Sequence, residues 1–345
     1  MAINLWGKTL LELQEQFVKN GFPKYRAKQL HDYLYKRNVF SFENMLQLPK
    51  DLRTWLMQNA TLDKPQIMKF QESRDKNTTK ILLKLSDGSL IETVCMHHNY
   101  GNSICVSTQV GCAMGCIFCA STRNGLERNL KAEEMLAQVY AFKELFQIPI
   151  HSLVLMGSGE PLQNYEEVLK FVRLCNDSDM LNISFRNITL STCGIVPRIY
   201  RLADEKLPIT LAISLHAPND TIRNQILPIS KAYKIEDVVR ASRYYFETTG
   251  RRVTFEYILI DGINSSPDNA EELCRLVGKM SCHFNLIPIN GTEHIQLYPP
   301  SAKAIEKFVS ILEKHGKSVT VRKQMGDEIQ AACGQLKRRY MNPKD

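Results

Sequence analysis

Between Ile104 and Arg322 the sequence alternates short apolar runs with amphipathic segments of helical period, and this alternation restricts the fold more than any other feature. The apolar runs are 104–107, 152–156, 187–191, 210–215, 253–260, 284–289 and 318–322; the helical segments lie near 132–146, 165–175, 197–205, 235–248, 268–279 and 301–315. A helix-length connection carries the chain back to the end of the sheet where the previous strand began, so the pattern predicts parallel strands joined by right-handed crossovers. That many units suit an α/β fold of TIM-barrel type, complete or partial, better than a short open sheet. In such a barrel the C-terminal strand ends hold the chemistry.

Upstream the period stays helical. Leu10, Leu13, Phe17 and Val18, then Leu30, Tyr33 and Leu34, then Leu52, Trp55 and Leu56 are spaced for helices, with Gly21-Phe22-Pro23 and Leu48-Pro49 between them. This predicts a small helical domain. Lys80–Leu85 and Leu90–Met96 then flank Ser86-Asp87-Gly88-Ser89, a hairpin turn sequence. With 44% apolar and 23% charged residues the composition is that of a globular protein, which excludes fibrous and disordered classes. No run reaches membrane-spanning length, and the opening MAINLWGKTLLELQEQF reads as an amphipathic helix with acidic residues rather than a secretory signal, so a cytoplasmic location is expected. The net charge of +8 favours a polyanionic partner without establishing one.

Ten cysteines in a reducing compartment argue against structural disulfides and turn attention to their spacing. Cys112, Cys116 and Cys119 form a C-x3-C-x2-C loop after the first barrel strand. One reading is a zinc site whose fourth ligand is His97 or His98. Structural zinc sites usually show two C-x2-C pairs, however, whereas a lone three-cysteine loop suits a 4Fe–4S cluster with one open iron. Cys95, Cys175, Cys193, Cys274 and Cys282 lack such spacing and read as packing residues.

The cysteine spacing, together with Met156-Gly157-Ser158-Gly159-Glu160-Pro161 after the second strand, resembles the radical S-adenosylmethionine (SAM) superfamily. PKYRAKQLHDYLY (23–35), CVSTQVGC (105–112), GLERNL (125–130), LSTCGIVP (190–197), AISLHAPND (212–220), GRRVTFEY (250–257), HFNLIPIN (283–290) and AACGQL (331–336) narrow the resemblance to the RlmN/Cfr family of RNA methyltransferases, over nearly the whole chain. Ser158 stands where that family commonly has methionine.

The resemblance implies a 4Fe–4S cluster on Cys112, Cys116 and Cys119, and two SAM molecules per turnover. SAM contacts fall on Gly159, Glu160, Ser191, Ser214, Leu215, His216 and Asn290. Cys333 matches the methyl carrier and Cys105 the cysteine that resolves the covalent protein–RNA adduct by forming a disulfide with it. Glu92 matches the general base, although strand alternation alone would make it a solvated carboxylate. The substrates implied are adenine 2503 of 23S rRNA and adenine 37 of some transfer RNAs. Carbon 2 is favoured over the carbon 8 of Cfr, because Pro161 follows Glu160 where Cfr has alanine. Partners implied are RNA, an external one-electron donor such as flavodoxin, and no membrane; a monomer is expected. A non-catalytic zinc-containing RNA-binding protein is the alternative of another class.

The domain division expected is a helical RNA-binding accessory domain over 1–62, a β-hairpin linker over 63–97, the radical SAM barrel over 98–328, and a C-terminal segment with Cys333 over 329–345. Basic residues cluster as Lys24, Arg26 and Lys28 near the N-terminal helices, Arg123 and Arg128 after the cysteine loop, Arg251 and Arg252, and Lys337 to Arg339 at the end; any one reads as a solvated face, but several are expected to flank the site mouth, where phosphates would supply affinity.

Overall fold

The computed structural model describes residues 2–289, 297–322, 326, 329 and 331. Its centre is one ten-stranded sheet whose spatial order follows the chain. The strands are β1 Gln66–Glu72, β2 Thr78–Lys84, β3 Leu90–His98, β4 Gly101–Cys105, β5 Ser152–Leu155, β6 Ile188–Thr192, β7 Thr210–Ser214, β8 Val253–Leu259, β9 Cys282–Pro288 and β10 Ser318–Val321. β1 to β4 pair antiparallel and β4 to β10 pair parallel. The seven apolar runs read from the sequence are the seven parallel strands. Among the described residues no ladder joins β10 to β1, so the barrel is partial.

Apart from the largely exposed edge strand β10, the parallel strands bury one face and half-bury the other, and the register separates two kinds of lining. On the back face Leu155, Leu190 and Leu211 form one row and Ile213, Phe255 and Phe284 the next, all nearly inaccessible. Helices α4 Ala132–Phe146, α5 Tyr165–Asn176, α6 Val196–Asp204, α8 Ile235–Thr249, α9 Pro267–Val277 and α10 Ala302–Lys314 cover it with Phe142, Phe171, Leu202, Tyr245, Leu273 and Phe308. Burial of each such side chain is worth about 1.5–3 kcal/mol. The opposite face carries Cys105, Val154, Ser191, Ser214, Glu256 and Asn285, a more polar set unsuited to packing and turned toward the barrel interior.

Among the departures from the expectation are two elements. β1 is exposed along nearly its whole length, so it shows no apolar alternation to read. A seven-residue helix, α7 Asp220–Ile226, follows β7; its start is set by Asn219, whose side chain accepts from the Ile222 N–H at 2.9 Å.

The N-terminal helices are α1 Leu10–Lys19, α2 Lys24–Tyr35 and α3 Lys50–Asn59, closed by a short parallel pairing of Ile3–Asn4 with Ala60–Thr61. Thr9 and Glu12 cap α1 reciprocally. This unit docks on α4 through the buried Trp6, whose indole N–H donates to the Glu133 carbonyl at 2.9 Å and whose ring meets Tyr140 edge-on at 5.3 Å. Among the described residues no helix is long and apolar enough to cross a membrane.

Candidate active site

The C-terminal strand ends converge on a cavity of about 150 Å³. Cys112, Cys116 and Cys119 form one wall, Gly157, Gly159 and Glu160 a second, and Ser191, Ser214 and His216 a third. A parallel sheet brings these together because each segment leaves its strand at the same end. Leu215 is fully buried behind the wall, with its N–H donated to the Glu256 carbonyl at 3.0 Å. Asn290 and Cys333 lie outside the described residues.

The loop after β5 is locked to the cysteine loop. The Glu160 N–H donates to the buried Gln109 side chain at 2.8 Å, and the Thr108 N–H to the Ser158 carbonyl at 2.8 Å. Glu160 is itself buried, which pushes its carboxyl up; N–H groups of Cys193 at 2.8 Å and Leu162 at 2.9 Å act in the opposite direction by donating to its two oxygens. Gly159 has φ +110°, and a Cβ there would stand 2.7 Å from the Gln109 Cβ and 2.8 Å from its backbone nitrogen. Gly159→Ala is therefore expected to destabilise the protein by about 2–4 kcal/mol, read as a fall in the midpoint of thermal unfolding. An unchanged midpoint would show that the loop relaxes freely.

His216 holds a left-handed backbone at φ +60°, uncommon without glycine. Asn264, inaccessible to solvent, fixes it by donating to the His216 carbonyl at 2.7 Å and the Ile258 carbonyl at 2.6 Å. The imidazole Nδ1 accepts from the Ile258 N–H at 3.0 Å, and burial, aided by the Arg223 cation, pulls its pKa down to about 3. The ring is thus neutral with its proton on Nε2. Phe118 of the cysteine loop packs edge-on against it at 5.0 Å.

The three thiols suit a cluster. Burial pushes the Cys112 thiol up to about 11 and the Cys116 thiol further still, so a cationic centre is needed to hold them as thiolates. Arg223, fully buried beside them, donates Nη2 to the Cys193 carbonyl at 2.7 Å, while its Nη1 has no partner among the described residues and is available to an anionic assembly. Zinc requires its ligands about 2.3 Å from one point; among the described residues no three His, Cys, Asp or Glu side chains converge in that way. His97 and His98 lie at the far end of β3, where His97 Nδ1 meets Asn102 Oδ1 at 2.8 Å and His98 stacks on Tyr100. Neither lines the cysteine cavity.

Beside this cavity, and sharing Ser121 with it, lies a second of about 230 Å³ lined by Glu92, Gln109, Arg123 and Ser158. Glu92 is nearly buried and paired with the Lys80 ammonium at 3.0 Å, not solvated as strand alternation alone suggested. Cys105 lies among Val94, Met96, Val154, Met156 and Ala331. Ala331 stands two positions before Cys333 in the sequence.

The basic residues divide. Arg123 lines the second cavity, but Arg128 is occupied by Glu134, at 2.8 Å through each of two nitrogens, and by Asp87 at 2.6 Å. Arg251 and Arg252 precede β8 rather than follow it, and Arg251 donates to Thr210 at 2.9 Å. They sit at the opposite end of the sheet, and the expectation that they flank the site is corrected. Sequence reading also missed Lys80, Arg223, Asn264, Glu256 and Arg322. Of these only Asn264 and Arg322 carry a local signal, as polar residues just beyond barrel strands.

Residues 106–277 match the model of the radical SAM superfamily, and residues 3–62 that of the ribosomal RNA large subunit methyltransferase N-terminal domain. The chain is 48% identical over 338 residues to a probable dual-specificity RNA methyltransferase RlmN of Clostridium novyi (strain NT), covering 98% of each. It is also 48% identical over 341 residues to the corresponding protein of Clostridium perfringens (strain 13 / Type A), covering 99% of this chain and 98% of the relative. The crystal structure of a radical SAM methyltransferase from Sphaerobacter thermophilus superposes with a TM-score of 0.92 at 44% identity, covering 97% of this chain and 99% of that one.

Proposed function

The chain belongs to the RlmN family of dual-specificity radical SAM RNA methyltransferases, and from that membership we propose that it methylates carbon 2 of adenine 2503 in 23S rRNA and of adenine 37 in some transfer RNAs. Its cofactors are those of the superfamily, a 4Fe–4S cluster and SAM. The observation that carries the reading is one concave sheet face on which the three-cysteine cavity, Cys105 and the Lys80-paired Glu92 are neighbours.

Cys112, Cys116 and Cys119 would hold the cluster; Gly159, Glu160, Ser191, Ser214, Leu215, His216 and Asn290 would hold SAM. When bound, these groups supply a carbon radical able to take hydrogen from a methyl group. The chain's own residues do the rest. Cys333 carries the methyl carbon and joins it to the base, which has been turned out of its stack into the site. Once the radical adduct has given up one electron, which the bound cluster would accept, its ring C–H bond breaks, the proton passing to a Glu92 oxygen and the electron pair restoring the aromatic purine. Cys105, as thiolate, attacks the Cys333 sulfur: an S–S bond forms, the C–S bond breaks, and the freed carbon takes up a proton to become the methyl group.

The division into a helical RNA-binding domain over 1–62, a hairpin over 63–97, a barrel over 98–328 and a carrier segment over 329–345 belongs to this reading. So do a monomeric state, a cytoplasmic location and an external one-electron donor such as flavodoxin. The 3–62 match and the docking of Trp6 on α4 support an accessory domain fixed to the barrel.

Nucleoside mass spectrometry of an unmodified large-subunit rRNA fragment treated with the reconstituted protein tests the regiochemistry. The expected product is 2-methyladenosine, absent with Cys333→Ala. Predominant 8-methyladenosine would overturn the carbon-2 reading.

A further inference from the structure

Lys80 is a costly residue for its place. It stands mid-strand in β2 and is only 8% exposed, between Thr79 and Ile81, which are also buried. Taking an ammonium out of water costs several kcal/mol, and an apolar side chain of similar volume is often at least as good for folding. Its charge is therefore better explained by what it touches. Nζ lies 3.0 Å from Glu92 Oε1, and both side chains are about nine-tenths buried.

The register gives the pair its setting. Lys80 lies opposite Val94, and Val94 opposite Cys105, so the three share one row of the concave face. Glu92 is one pleat further along β3, opposite Leu82, and lines the 230 Å³ cavity; Lys80 does not line it. The Glu92 backbone is fixed independently, since its carbonyl accepts from the Ser107 hydroxyl at 2.8 Å. What Lys80 adds is direction and charge at the carboxylate itself.

We infer that Lys80 is a positioning residue for Glu92: through their ion pair it aims the carboxylate into the cavity, where the carboxylate receives the proton released by the covalent adduct. This rests on the reading of Glu92 as the base. In that step the adduct's C–H bond breaks, the proton goes to the Glu92 oxygen and the electron pair to the purine. Methionine at position 80 keeps the volume and removes the charge; arginine keeps the charge.

The test uses full-length protein with its cluster assembled, given SAM, reductant and an unmodified rRNA fragment, as parent, Lys80→Met, Lys80→Arg, Glu92→Gln and the double variant Lys80→Met/Glu92→Gln. Lys80→Met is expected to form 5′-deoxyadenosine as the parent does, to accumulate protein–RNA adduct on a denaturing gel, and to release methyladenosine about tenfold more slowly or worse. Lys80→Arg should recover most of that loss. The double variant, which removes both charges of the pair, should lose no more than Glu92→Gln alone. Loss of 5′-deoxyadenosine in parallel with product, or a double variant much worse than Glu92→Gln, would assign Lys80 to the framework and overturn the inference. Lys80→Met at the parental rate while Glu92→Gln is blocked removes the inference and leaves the base reading standing; Glu92→Gln at the parental rate removes both.

Discussion

A chain in which Cys112, Cys116 and Cys119 are all alanine is expected to purify colourless, to bind no iron, and to form neither 5′-deoxyadenosine nor methylated RNA. The three thiols share one cavity wall, and no other described cysteine but Cys193 lines that cavity. Cys193 is a poor substitute: burial pushes its thiol well above the ordinary range, and the neighbouring Glu160 carboxylate adds to the shift. The substitutions remove three sulfurs without placing a new polar group in the core, so the fold should persist, with its unfolding midpoint lowered by the loss of the bound cluster rather than by packing. Iron analysis, the absorption spectrum and chromatography of SAM cleavage products check the result together. A triple variant that still cleaves SAM reductively would end the assignment of the cluster to this loop.

The barrel was legible because its strands are short and rich in apolar residues, and each is separated from the next by a helix-length amphipathic stretch. The 132–146 segment, for instance, is helix α4 over the same bounds. β1 was illegible for the converse reason: six of its seven residues are exposed, and what defines it is pairing with β2, a property of neighbours rather than of its own pattern. The same distinction runs through the site. Cys112, Cys116 and Cys119 are close in sequence and therefore visible as a constellation. Lys80 and Glu92 meet only through hairpin register, and a shift of one residue would turn Lys80 to the other face.

Arg223 shows a further limit. It lies on α7, a helix of seven residues and too short to show a period, which returns it beneath the cysteine loop to bind the carbonyls of Cys193 and Leu215. Arg251 and Arg252 show the converse: a basic pair next to a strand in sequence lies at that strand's N-terminal end, away from the site. In a parallel sheet that question decides function: residues that precede a strand face away from the chemistry.

Cys105→Ala is expected to halt the reaction after carbon has been transferred, leaving protein and RNA covalently joined. Cys105 lies at the end of β4 in a small apolar patch with Val94, Met96, Val154 and Met156, so alanine keeps the packing and removes only the sulfur. Neither the cysteine wall nor the Lys80–Glu92 pair depends on that sulfur, and the proposed steps up to adduct formation remain available. What is lost is the nucleophile that would open the bond between Cys333 and the transferred carbon; water is a poor substitute, because cleavage there requires attack on sulfur and transfer of two electrons to carbon. 5′-Deoxyadenosine should therefore appear in an amount close to one turnover and then stop, while a denaturing gel shows a nuclease-sensitive species of higher mass. Cys333→Ala, by contrast, should give no such species at all, since no carrier forms the bond. Multiple turnovers by Cys105→Ala, with no adduct on the gel, would show that another group resolves the intermediate and would remove Cys105 from the proposed sequence.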